Sequence, residues 1–165
     1  MDEKRRSLLR AVFGTLSTFV LVKPSLAGFA DSEFVNLTNL IISREYGAIV
    51  QYVNHSGVIG DEALGEALLK NMEEEVTHAR ELTRILVKEG ATPTLAVWPP
   101  RSGREPLKLI REDLEMERAL IELYQKLLSL PEAGKYKDLL SSFLQSELQH
   151  RERLLKLLNS LPPKS

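Results

Sequence analysis

Four runs of the chain place apolar residues at alternating steps of three and four, the spacing that lines one face of an α-helix. The first begins at Asp31 or Ser32, both good N-caps, and reaches about His55 with the stripe Phe34, Leu37, Ile41, Glu45, Ala48, Tyr52. Ser56 to Gly60 is a short turn. The second run opens at Asp61 and ends at Gly90, with the stripe Leu64, Leu68, Asn71, Glu75, His78, Leu82, Ile85. Residues 91–105 hold Pro93, Pro99, Pro100 and Gly103, a density that no helix tolerates, and suffice to cross from one end of a bundle to the other. The third run starts near Pro106, a good first-turn residue, and stops before Pro131; its stripe is Ile110, Asp113, Glu117, Leu120, Tyr124, Leu127. The fourth spans about Gly134 to Leu161, with Tyr136, Leu140, Phe143, Glu147, His150, Leu154 and Leu157 inward, and Pro162-Pro163 beyond it. There is no strand signal. Two hairpins with short turns and one long crossover predict an all-α four-helix bundle over residues 31–165.

Each stripe is interrupted at mid-helix by ionisable residues, and the interruptions repeat. Glu75 and His78 stand three apart, on one helical face, and Glu147 and His150 repeat them in the second half of the chain. Glu45 precedes Glu75 by the same interval as Glu117 precedes Glu147. Tyr52 follows Glu45 by seven, and Tyr124 follows Glu117 by seven. Six ionisable groups in one core layer are costly unless something compensates them. Two divalent cations would do so, since their four positive charges match four carboxylates and neutral imidazoles add none. Oxygen and nitrogen donors suit iron or manganese. Two cations about 3.5–4 Å apart need bridging carboxylates. Glu75 and Glu147 are the natural bridges, His78 and His150 the end ligands of one metal each, and Glu45 and Glu117 the remaining ends. A solvated charged face explains a lone Glu-x-x-His, but not two copies with matching offsets.

The surrounding residues leave alternatives. Tyr52 and Tyr124 are the candidate catalytic residues, placed to hydrogen-bond the carboxylates across the bundle; core aromatics with a satisfied hydroxyl would show the same spacing. Asp113, one turn before Glu117, either holds a histidine N–H behind the metals or is an ordinary early-helix acid. His55, at a helix end, is expected as a surface or capping residue, and Glu73-Glu74 as a solvated face.

Composition narrows the chemistry. Of 165 residues 43% are hydrophobic and 27% charged, ordinary for a globular chain. A net charge of −1 gives no basic field for nucleic acid. The absence of cysteine excludes disulfides, zinc–thiolate sites and iron–sulfur clusters.

The strings Glu45-Tyr46-Gly47-Ala48-Ile49-Val50-Gln51-Tyr52, Glu75-Val76-Thr77-His78-Ala79, Asp113-Leu114-Glu115-Met116-Glu117 and Glu147-Leu148-Gln149-His150 resemble the ferritin-like superfamily, most closely the bacterioferritins. The resemblance covers about residues 31–161. It implies a di-iron ferroxidase centre at Glu45, Glu75, His78, Glu117, Glu147 and His150. It also implies oxidation of Fe(II) by dioxygen or hydrogen peroxide, often with ferric mineral stored in a hollow shell. Tyr124 is more like the rubrerythrin pattern, in which peroxide is the oxidant. The alternatives are another di-metal enzyme (a peroxidase, manganese catalase or oxygenase) and a non-catalytic iron-storage subunit. Val76 stands where haem-binding members carry methionine, so no haem is expected. Lys70 and Glu74 replace the histidine and aspartate of an inner-surface iron site, and Leu82 and Arg153 replace aromatic electron-transfer residues. The stretch from Arg151 to Ser165 is too short for the family's short fifth helix. A homo-oligomer, at least a dimer, is expected.

Residues 1–30 read differently. Lys4-Arg5-Arg6 and Arg10 precede an uncharged run from Ala11 to Val22, followed by Lys23 and a small-residue site, Ser25-x-Ala27. The run is short of the roughly 20 residues of a membrane span but suits a signal-peptide core. With Arg5-Arg6 it resembles a twin-arginine leader, which implies export to the periplasm and a mature start near Gly28 or Asp31. The alternative is an extra N-terminal helix on a cytoplasmic protein.

Overall fold

A computed structural model describes residues 32–161. The leader expected in residues 1–30 lies outside the described residues. Among the described residues four α-helices form: α1 Glu33–Val58, α2 Glu62–Lys88, α3 Pro106–Leu128 and α4 Lys137–Ser160, with a 3₁₀ segment at Pro131–Tyr136. The Ser32 side chain accepts from the Val35 N–H, and Asp61 accepts from Leu64, so each starts its helix by satisfying an orphan donor. Gly90, at φ 72°, ends α2 in the left-handed region, and the Ala91 N–H reaches back to the Leu86 carbonyl at 2.9 Å.

Two boundaries differ from the sequence expectation. Helix α1 runs to Val58, because Gly57 does not take a positive φ and the Ile59 N–H still bonds the His55 carbonyl at 2.9 Å. Helix α4 begins at Lys137 rather than near Gly134. The residues before it are held as a 3₁₀ segment against the end of α2, where Tyr136 donates to Glu89 at 2.6 Å and Lys135 donates at 3.1 Å.

The four predicted stripes face one another. All their members are buried except Tyr136 and Leu157, which are partly so. Helix α1 packs along α2 and α3 along α4; between hairpins α1 meets α3 closely, while α2 and α4 touch over a shorter stretch. Among the described residues, no helix is long and apolar enough to cross a membrane.

The crossover lies along α1 on residues spaced by four. Asn39 accepts from the Thr94 N–H at 2.7 Å, the Ser43 carbonyl accepts from the Trp98 N–H at 2.8 Å, and Gln51 Oε1 accepts from the Arg101 N–H at 2.8 Å. Between them sits Gly47, where an added Cβ would meet the Trp98 carbonyl oxygen at 2.6 Å. Backbone cannot yield as a flexible side chain does. Gly47→Ala should therefore destabilise the protein by about 1–3 kcal/mol, the usual range for overpacking. Urea unfolding is the check, and an unchanged midpoint would contradict this seating.

His55, expected at the surface, is buried instead. The crossover covers the end of α1, so His55 Nδ1 lies 2.8 Å from Asp113 and Nε2 lies 2.9 Å from the Arg101 carbonyl. Burial pushes its pKa down, but Asp113 outweighs that and the net direction is up. Asp113 also accepts from Gln51 Nε2 at 2.8 Å. It does hold a histidine, but the one that pins the crossover, not one of the repeated pair.

Candidate metal centre

At mid-bundle each helix contributes its stripe glutamate: Glu45 from α1, Glu75 from α2, Glu117 from α3 and Glu147 from α4. His78 and His150 come from the following turns of α2 and α4. The structure brings all six together, fully or almost fully buried. They fall into two overlapping sets, Glu45, Glu75, His78, Glu147 and Glu75, Glu117, Glu147, His150. Within each set one ligand atom per residue lies within 4.8 Å of every other.

Glu75 and Glu147 belong to both sets, and their oxygens divide accordingly. Glu75 Oε2 is 2.9 Å from His78 Nδ1 and its Oε1 is 3.0 Å from His150 Nδ1. Glu147 Oε1 is 2.8 Å from His78 Nδ1 and its Oε2 is 3.3 Å from His150 Nδ1. Each carboxylate thus turns one oxygen to each imidazole. Glu45 lies on the His78 side and Glu117 on the His150 side.

The two tyrosines exchange hairpins. Tyr124 on α3 donates to Glu45 Oε1 at 2.5 Å, and Tyr52 on α1 donates to Glu117 Oε1. Each end carboxylate therefore has one oxygen fixed by a phenol, while its other oxygen has no hydrogen-bond partner. Both oxygens of Glu147, Glu75 Oε1 and His150 Nδ1 also lack an aligned partner. Buried polar atoms in native proteins are normally satisfied, so this concentration of free lone pairs marks a place for cations.

Electrostatics agree. Burial pushes Glu45 well above the usual carboxylate range, with Glu75 and Glu147 adding to the rise against the Tyr124 hydrogen bond. Burial, then Glu147, raises Glu117 to about 8. Burial lowers His78, but Glu147 and Glu75 outweigh it and bring it to about 9; His150 is raised by Glu117, Glu147 and Glu75 in the same way. The cluster holds its charges down by keeping protons that cations would replace. Tyr52 and Tyr124 are pushed up by burial and by Glu117 and Glu45, so both remain protonated donors.

Residues 35–162 match the family model of the ferritin-like domain. The chain belongs to that family. Bacterial ferritins of Neisseria meningitidis serogroup B (strain ATCC BAA-335 / MC58) and Neisseria gonorrhoeae are each 31% identical over 104 residues, which cover 61% of this chain and 68% of theirs. A crystal structure of a ferritin-like, diiron-carboxylate protein from Bacillus anthracis str. Ames superposes with a TM-score of 0.72 at 21% identity, over 77% of this chain and 96% of that one. At that identity the likeness is one of fold.

Within this ferritin-like bundle, Glu74 departs from its expected place on a solvated face. It is partly buried, accepts from Ser146 Oγ at 2.6 Å, and lies 3.0 Å from His150 Nε2. Glu73 beside it is exposed. Glu74 and Arg153 gave no periodic signal because they flank the stripes. Aligning the two halves so that Glu75 falls on Glu147 sets Glu74 against Ser146 and Arg153 against Glu81, and that mismatch was the available signal.

Proposed function

We propose that the centre binds two Fe(II) ions as substrate and oxidises them with dioxygen or hydrogen peroxide. The observation that carries this reading is the division of Glu75 and Glu147, one oxygen to each histidine, which is the disposition of carboxylates shared by two cations. His78 with Glu45, and His150 with Glu117, would complete the two ends. Manganese(II) suits the same donors. Iron is favoured because the relatives above are bacterial ferritins and the structural neighbour is a diiron-carboxylate protein.

Two Fe(II) ions side by side supply two electrons, the number that takes dioxygen to hydrogen peroxide or hydrogen peroxide to water. The chain's own part is positional and electrostatic. Tyr52 and Tyr124 hold the end carboxylates at fixed angles, with one oxygen of each free. Four carboxylates offset four positive charges, and the surrounding apolar layers limit water. A homo-oligomer fits the exposed Val50, Val53, Leu69, Val76 and Leu95 on the outside of the first hairpin and crossover.

His78→Ala and His150→Ala should each slow Fe(II) oxidation by at least about tenfold, since each deletes an end ligand of a different ion. Stopped-flow absorbance after mixing Fe(II)-loaded protein with either oxidant measures this and ranks the oxidants. A harmless substitution at either position would contradict a two-iron reaction.

A further inference from the structure

The ligands repeat across the two halves, but what stands behind them does not. Behind His150, Nε2 meets Glu74, which also accepts from Ser146. Arg153, one turn past His150, lies 3.5 Å from Glu74 and donates to Asn71 Oδ1. Asn71 in turn donates to the Tyr52 hydroxyl at 3.1 Å, and Tyr52 donates to Glu117. One guanidinium therefore connects to both end ligands on this side: to His150 through Glu74, and to Glu117 through Asn71 and Tyr52. The connection spans α2 and α4, which touch over only a short stretch.

Among the described residues, the opposite half offers nothing equivalent. In the same alignment of the halves Asn71 is replaced by Phe143, whose ring lies 4.5 Å from His78 and 6.1 Å from Tyr124. Ser146 stands opposite Glu74, and it donates to Glu74 rather than supporting His78. Glu81 stands opposite Arg153 and pairs with Arg80 and Arg84 at the surface. Among the described residues, His78 has contacts with ligand carboxylates and aromatic rings, but no carboxylate behind its ring.

We infer that Arg153, with Glu74 and Asn71, is a positioning residue that makes the two cation sites unequal, so that the site of Glu75, Glu117, Glu147 and His150 fills first. A ligating imidazole whose other nitrogen donates to a carboxylate is fixed in tautomer and orientation and is more basic, and losing such a partner typically costs about 10–100-fold in metal affinity. Arg153 fixes the carboxylate that does this, and aims the phenol on the partner glutamate as well. The inference rests on the cation-binding reading above and adds an order of filling to it.

The test uses Co(II), which is stable in air. Crystals of the full chain soaked to one equivalent should show the anomalous peak beside His150. Titration calorimetry should show two steps. In Arg153→Leu, which keeps bulk, the first step should weaken at least about tenfold and the crystallographic preference should vanish. Arg153→Lys should restore part of it, and Glu81→Gln, at the equivalent place in the other half, should change neither step. Should Arg153→Leu fold poorly, Glu74→Ala provides the same comparison from the other end of the contact. Equal filling in the wild type, filling beside His78 first, or unchanged steps in both variants would overturn the inference. Absence of Co(II) from both positions in the wild type would overturn the metal-centre reading itself.

Discussion

Stripped of divalent cations, the protein should become less stable as pH rises from about 5 to about 9, and saturating Mn(II) should reverse the trend. Glu117 moves from an ordinary 4.5 when unfolded to about 8 when folded, so the folded state binds its proton more tightly. The stability from that proton is complete below 4.5 and is lost as pH rises through 8. His78 moves from 6.5 to about 9, and its contribution is complete below 6.5 and lost through 9. Glu45, raised well above the usual carboxylate range, acts in the same direction. The lowered carboxylates, Glu74 and Glu89, act only at lower pH, where stability is lost as pH falls. The melting temperature in chelator should therefore fall by on the order of 10 °C across the window. Cations bind the deprotonated ligands of the folded state alone, so their stabilisation grows with pH. Calorimetry at four or five pH values decides the matter. A flat or rising melting temperature in chelator would show that the six groups do not share one buried layer.

Glu75→Gln should separate the two roles of that carboxylate. Without metal at pH 8, it keeps the side-chain volume but removes the carboxylate that faces His78 and His150 and helps both imidazoles keep their protons, so the variant should melt below the wild type. With metal, it removes the charge of a carboxylate that both sites use and turns one of its oxygens into a non-ligating amide nitrogen, so most of the cation-dependent gain should disappear. That gain is about 2.7 kcal/mol in the wild type at a cation concentration 100 times the dissociation constant. Melting curves with chelator and with Mn(II) give both quantities. A variant that gains as much from Mn(II) as the wild type would mean that Glu75 is a structural residue and not a shared ligand.

The bundle and its central layer were legible because two periodicities coincide. The steps of three and four define the inward stripes, and the repeat of the first hairpin's pattern in the second places the same residue types at the same depth in both halves. The tyrosine hydroxyls were legible as candidate partners of the carboxylates from their spacing of two turns, but not which glutamate each would meet. The crossover's seat was not read at all. Asn39, Ser43, Gly47, Gln51 and His55 recur every four residues, yet they form a second, polar face of α1, and a hydrophobic pattern does not report what covers such a face. His55 was misplaced for that reason, since its burial depends on a segment some 46 residues later in the chain. Glu74 was misread because an acid beside a stripe looks solvated until the facing helix supplies Ser146 and His150.

The exchange of tyrosines between hairpins also bears on the order of folding. Tyr52 and Glu117 are 65 residues apart in the chain, and Tyr124 and Glu45 are 79. Each helical hairpin closes a short loop and is reached early, whereas these contacts await the docking of one hairpin on the other. A half-built chain holds only two of the carboxylates and one of the imidazoles, with the phenol that fixes its end carboxylate still on the undocked partner. Cation capture is then a late event in assembly, reserved for chains whose two halves have already met.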